Sequence, residues 1–144
     1  YEDRGGPLCV EALRGLGFDV GDPQVVPDGE PVEEALRAAV AESYDVVLTT
    51  GGTGITPLDL TPEMTARVLD REVPGIAEAI RMVGVAKVPT AALSRGLAGV
   101  AGRTLIVNLP GSEKGVRESL GALLPILPHA VQTLRGVVGD HDAH

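Results

Sequence analysis

The chain has 144 residues, a formal net charge of −8 and only 2% aromatic residues. That length suits one domain with a sizeable core, and the lack of rings means the core is built from Val, Leu, Ile and Ala. The acidic balance argues against a nucleic-acid-coating protein, which needs a basic footprint. The scarcity of aromatics argues against a base-stacking surface. Cys9 is the single cysteine, so no intrachain disulfide can form, which is compatible with a reducing compartment. With no apolar run of about 18 residues and no visible signal peptide, the expectation is a cytoplasmic location without membrane insertion.

Taken in chain order, residues 7–16 read as a helix with Cys9, Leu13 and Leu16 on one face and Gly17 as its stop. Residues 20–26 are a strand candidate, interrupted by Gly21 and Pro23. Pro27-Asp28-Gly29-Glu30 is a loop, and Pro31 suits a first helical position. Val32, Ala35, Leu36, Ala39 and Val40 then fall at i, i+3, i+4, i+7 and i+8, an amphipathic helix. Val46-Val47-Leu48 is apolar without alternation, as expected of a strand buried on both faces of a parallel sheet.

Thr61-Pro62-Glu63 has the marks of a helix start, with Thr61 as cap, proline first and an acid in the first turn. Residues 74–83 form a helix with Ile76, Ala79, Ile80 and Val83 in register. Leu105-Ile106-Val107 is a second buried strand, ending in the loop Asn108-Leu109-Pro110-Gly111. Val116, Leu120, Leu123 and Leu124 mark a helix, Pro125 and Pro128 a break, and a last helix runs through Leu134. Residues 1–138 read as one domain and 139–144 as a polar tail. Helices alternating with short apolar strands predict an α/β fold, a three-layer α/β/α sandwich with a mostly parallel sheet. In such sheets ligands sit beyond the carboxyl ends of the strands, where both informative loops lie.

The first of these loops, Thr49-Thr50-Gly51-Gly52-Thr53-Gly54, follows a strand directly. Its glycines let the backbone turn sharply and approach a ligand closely, and successive N–H groups can form an anion nest, with Thr50, Thr53 and Thr56 adding hydroxyls. It is not a Walker A motif, which needs Gly-Lys-Ser/Thr, and Pro57 stands where a dinucleotide fingerprint would have its third glycine. Asp59 is either a solvated carboxylate near a helix N-terminus or a Mg²⁺ ligand beside a phosphate cradle. Asp28 is either a turn residue or the second carboxylate of the same metal site.

Arg95, in Ser94-Arg95-Gly96, is either a bidentate phosphate ligand or half of a surface ion pair. Asn108 either binds the amide-like edge of a ligand or caps its turn. Lys114 sits near a helix start, where a cation is out of place unless a ligand phosphate or solvent explains it. The histidines have no zinc-type spacing, and no Gly-x-Ser-x-Gly elbow appears.

In order and spacing, these segments resemble the MoaB/Mog family of molybdopterin-binding proteins. The resemblance runs from Asp3-Arg4 and Gly6-Pro7 through Thr49–Gly54, Thr56-Pro57, Asp59, Thr61-Pro62-Glu63 and Pro74-Gly75. It continues through Leu93-Ser94-Arg95 to Asn108-Leu109-Pro110-Gly111. It implies a three-layer α/β/α domain, commonly a homotrimer, that uses Mg²⁺ and ATP to adenylylate the terminal phosphate of molybdopterin. Pyrophosphate is released, and the product passes to a molybdate-insertion partner protein.

On that scheme Gly51, Gly52, Thr53, Gly54, Thr50 and Ser94, with Arg95, hold the pterin or its phosphate, and Asn108, Pro110 and Gly111 line the same pocket. Asp59 and Asp28 are the two essential acids and metal ligands. A non-catalytic binding or scaffold module is the alternative the resemblance leaves open. Two departures stand out. Leu58 occupies a position where members often carry Arg, and members begin with a strand and a Ser/Thr-rich loop ahead of Asp-Arg-x-Gly-Pro. The natural protein is therefore expected to carry an N-terminal segment ahead of Tyr1.

Overall fold

The computed structural model describes residues 5–136. Asp3, Arg4 and the polar tail lie outside them. In chain order the elements are α1 (Gly5–Gly15), α2 (Glu30–Ala41), β1 (Val46–Thr50), α3 (Thr61–Val68), β2 (Arg71–Glu72) and α4 (Pro74–Lys87). A 3-10 turn at Pro89–Leu93 follows, then β3 (Ala98–Ala101), β4 (Thr104–Leu109), α5 (Glu113–Leu123) and α6 (Leu127–Arg135). Among the described residues no helix is long and apolar enough to cross a membrane.

The sheet order is β1-β4-β3-β2. β1 runs parallel to β4, with Val46 opposite Leu105 and Thr50 opposite Leu109. β3 is antiparallel to both β4 and β2. The α/β sandwich is therefore as expected, but its sheet is mixed, with one parallel pairing and two antiparallel ones among the described residues. The antiparallel half comes from the two elements that the sequence pattern does not announce. Ala98-Gly99-Val100-Ala101 holds a single β-branched residue, and Arg71-Glu72 is a two-residue exposed edge. Pairing makes both into strands, β3 against β4 and β2 against β3; their own propensity does not.

β4 is central and wholly buried. Its period of two divides the core. Leu105, Val107 and Leu109 face α1, α4, α5 and α6, packing with Leu13, Ile80, Val116, Leu123 and Leu127. Ile106 faces the other way, onto Val32 and Leu36 of α2 and Met64 and Val68 of α3. β1, expected to be buried on both faces, is only half-buried along its length because it is the outer strand of the described sheet.

Three more readings are corrected. Residues 20–26 form no strand: Gly21 and Pro23 interrupt the backbone, and Val25 is 81% exposed with nothing to pack against. Leu16 leaves the face of Cys9 and Leu13 because α1 stops at Gly15. Thr61 is not the cap of α3. Leu60 holds that position without a side-chain bond, and Thr61 is the first helical residue, buried against the glycine loop.

Gly99 shows how tightly the sheet's far side is drawn in. A Cβ there would stand 2.7 Å from Leu69 Cδ1 and collide with the Arg71 carbonyl oxygen. Gly99→Ala should therefore cost about 1–3 kcal/mol, read as a lower denaturant midpoint in urea unfolding. An unchanged midpoint would show that β2 is free to move away.

Candidate active site

The two loops singled out in the sequence leave the carboxyl ends of the parallel pair β1 and β4, and they touch. The Gly51 N–H donates to the Leu109 carbonyl at 3.0 Å, one step beyond the ladder. A Cβ on Gly111 would lie 3.2 Å from the Gly51 Cα. Gly51 and Gly52 both have left-handed φ, 90° and 69°, which side chains other than glycine adopt only with strain. The Gly52 carbonyl then accepts the Thr61 N–H at 3.1 Å, so the loop is bonded to the first residue of α3.

Both acidic candidates flank this loop. Asp28, from the exposed segment before α2, places Oδ1 3.3 Å from where a Gly52 Cβ would stand. Asp59 places Oδ2 2.8 Å from the corresponding point on Gly54. Asp59 Oδ2 also accepts the Thr56 N–H at 3.0 Å and the Thr56 hydroxyl at 2.8 Å. The Thr56 hydroxyl, then its N–H, hold the Asp59 carboxyl below the usual carboxylate range, with the Gly54 N–H and the Arg95 charge assisting against burial. Among the described residues no group of three or more His, Cys, Asp or Glu converges as a metal cluster. A cation here would rest on the two carboxylates and on oxygens brought by a ligand.

The other predicted residues have more varied surroundings. Thr50 turns onto Gly5 at the start of α1. Thr53 is buried, and its carbonyl accepts the Arg95 N–H at 2.8 Å. Arg95 does lie at the site, but the guanidinium is turned onto protein. Nε donates to the Gly54 carbonyl at 2.7 Å, Nη2 to the Asp59 carbonyl at 2.6 Å, and Nη1 to Glu63 Oε2 at 2.6 Å. The Glu63 bond raises the Arg95 pKa further, and the same bond lowers that of Glu63.

Asn108 lies within β4, not in the loop beyond it, and is 4% exposed. Its Oδ1 accepts the Leu97 N–H at 3.0 Å, and its Nδ2 donates to the hydroxyls of Thr49 and Thr65, each at 3.0 Å. It braces the floor of the site with its own donors and acceptor engaged.

Two concavities open on either side of Gly54 and the Ser94-Arg95 segment. One, of about 300 Å³, lies between α4, the 3-10 turn and α5. Its wall includes Gly54, Arg81, Thr90, Ser94, Pro110 and Lys114, and its size is that of a small-molecule site. The other is a wider groove of about 510 Å³ along Ile55, Asp59, Glu63 and Arg95.

Arg81 and Thr90 were not foreseen. Arg81 Nη1 donates to the carbonyls of Ser94 at 3.1 Å and Gly96 at 3.0 Å, a link between separate elements that no local pattern could signal. Lys114 was flagged as out of place. It is the second residue of α5, whose Ser112 cap accepts the Gly115 N–H at 3.0 Å, so side chain and helix end both turn positive potential toward the cavity.

A family model described as a probable molybdopterin binding domain matches residues 1–129. The chain belongs to the MoaB/Mog family of molybdopterin-binding proteins. It is 41% identical to a molybdopterin adenylyltransferase of Helicobacter pylori, over 94% of this chain and 80% of that protein. It is also 46% identical to the molybdenum cofactor synthesis protein cinnamon of Drosophila melanogaster, over 96% of this chain. There it spans only 23% of the longer protein. The Mog protein of Mycobacterium ulcerans superposes with a TM-score of 0.90 at 52% identity, covering 93% of this chain and 88% of that one. The MoaB/Mog fold is thus shared almost end to end.

Because the Asp59 carboxyl is held ionised chiefly by the Thr56 hydroxyl, Thr56→Val should raise its titration midpoint in carboxyl-detected NMR. The sign follows from the depressed folded pKa. The associated stability is present above the ordinary aspartate value and is lost as pH falls through the lower folded one. The variant should therefore lose its stability increment at a higher pH than the parent. A midpoint that does not move would remove Thr56 from this role.

Proposed function

We propose that the chain is a molybdopterin adenylyltransferase acting in molybdenum cofactor biosynthesis. The observation that carries this reading is the convergence of two carboxylates, distant in the chain, on one glycine loop. That loop lies beside a mostly apolar cavity whose polar wall residues include Thr90, Ser94, Arg81, Lys114 and Glu118. The names and identities of the H. pylori enzyme and the Mog neighbour support it.

In the reaction, a terminal phosphate oxygen of molybdopterin attacks the α-phosphorus of ATP. A new P–O–P link forms, the bond to the β-phosphate oxygen breaks, and pyrophosphate leaves. Such transfers depend on positioning and charge neutralisation more than on a covalent nucleophile. The 300 Å³ cavity suits the pterin, with Ser94 and Thr90 offering hydroxyls and Lys114 and the α5 N-terminus facing its phosphate. The Gly51–Gly54 loop, with Pro110 and Gly111, forms the wall toward the reacting phosphates.

The hard oxygens of Asp28 and Asp59 suit Mg²⁺, which takes one or two carboxylates plus substrate phosphates. Bound there, it would neutralise charge on the phosphates as the link forms. The Thr56 N–H and hydroxyl both donate to Asp59 Oδ2 and fix the direction of the carboxylate.

A binding or scaffold module is the second reading. Two observations favour it: the chain's likeness to a segment of the much longer cinnamon protein, and Leu58, 75% exposed where the family resemblance leads one to expect a cation. Turnover decides between the two. The chain should release pyrophosphate and adenylylated molybdopterin from Mg-ATP plus molybdopterin. Asp59→Asn should lower kcat by about 10²-fold or more with molybdopterin binding retained. Binding without turnover by the parent chain would select the module. A homotrimer and hand-off to a molybdate-insertion partner complete the reading. Exposed Met82, Val85 and Val88 near the end of α4 offer apolar surface for self-association. Light scattering should return three times the chain mass, and a monomer would remove the trimer.

A further inference from the structure

From sequence, Arg95 is either a phosphate ligand or half of a surface ion pair, and it forms the ion pair, with Glu63. Four of the five guanidinium N–H donors are matched within the protein, in bonds to Gly54, Asp59 and both oxygens of Glu63. The two carbonyls it grips bracket the turn that carries Thr56. They belong to the last glycine of the loop and to the residue whose carboxylate faces that glycine. The Arg95 main chain holds the same loop one residue earlier, through the Thr53 carbonyl at 2.8 Å. Thr56 fixes the direction of the Asp59 side chain, while Arg95 fixes where its backbone stands. Glu63, in the first turn of α3, holds the guanidinium from its far edge.

We propose that Arg95 is a positioning residue of this site: by bridging the Gly54 and Asp59 carbonyls it sets the distance between the glycine loop and the Asp59 carboxylate. The proposal rests on the adenylyltransferase reading for its kinetic consequence, but its structural content stands apart from that reading. Lysine is a poor substitute, because a point charge cannot span two carbonyls and a carboxylate with fixed geometry.

The test compares Arg95→Ala, Arg95→Lys, Asp59→Asn and the Arg95→Ala/Asp59→Asn double variant of the full chain. Each is assayed for kcat, KM for molybdopterin and ATP, and amide exchange. Misplacement of a reacting group by about 1 Å costs on the order of 10²-fold, so kcat of Arg95→Ala should fall by about that factor. KM for molybdopterin should stay within roughly threefold, and Arg95→Lys should recover little. The double variant should be no slower than Asp59→Asn alone, because both changes act through one group.

A raised KM with kcat intact would overturn the proposal in favour of direct ligand binding. Losses that multiply in the double variant would also overturn it. Should Arg95→Ala not fold, Arg95→Lys carries the same comparisons. If the parent chain binds molybdopterin but shows no turnover, the functional reading falls by itself, and amide exchange decides the positioning claim. Faster exchange confined to the Thr56 and Asp59 amides in the Arg95 variants supports it, and unchanged exchange there overturns it.

Discussion

At the centre of the molecule the Asn108 side chain, buried within β4, donates to Thr49 of β1 and Thr65 of α3 and accepts from the Leu97 amide ahead of β3. Three separately folded pieces are tied to one strand by these bonds, and each piece carries part of the site. β1 leads into the glycine loop, α3 follows that loop, and the Leu97 segment directly follows Ser94 and Arg95. A buried amide costs about 1–3 kcal/mol for each group left unsatisfied, so the arrangement tolerates no slippage of any one piece. Among the described residues no buried side-chain polar atom lacks a partner, which is the condition under which such a network specifies a single geometry.

Above that floor the site is organised by glycine contacts and by charge. The loops after β1 and β4 meet glycine against glycine, and the Gly51 N–H is bonded to the Leu109 carbonyl. The surrounding charges are not redundant. Asp28 and Asp59 are turned toward the loop, Lys114 and the α5 N-terminus toward the adjoining cavity, and Arg95 inward onto carbonyls and Glu63. A net charge of −8 coexists with a cavity wall that carries Arg81 and Lys114 beside Glu118.

Much of this was legible without coordinates. Helices α2, α4 and α5 follow from their 3.6-residue periodicity, and β4 from its unbroken apolar run. The glycine loop and Asp59 were singled out by residue type and spacing, and Ser94 by the family resemblance. What escaped was of a different kind. β3 is Ala- and Gly-rich and has no local signal. Asn108 looked like a loop residue because prolyl and glycyl neighbours follow it, yet it lies inside the strand. Arg81 acts on carbonyls 13 and 15 residues away along the chain. Residues 20–26 looked like a strand and Leu16 like part of the α1 apolar face, but the first is not a strand and Val25 and Leu16 are exposed.

The sequence by itself determined the α/β class, the position of both glycine-containing loops at strand ends, and the residue types available for chemistry. Those depend on local periodicity and on glycine's conformational freedom, which are written in consecutive residues. Only the tertiary structure decided the mixed pairing of the sheet, the approach of Asp28 to a loop that begins over twenty residues later, and the inward turn of Arg95. Each of these depends on which distant groups compete for the same hydrogen bonds, and that competition exists only once the chain has closed on itself.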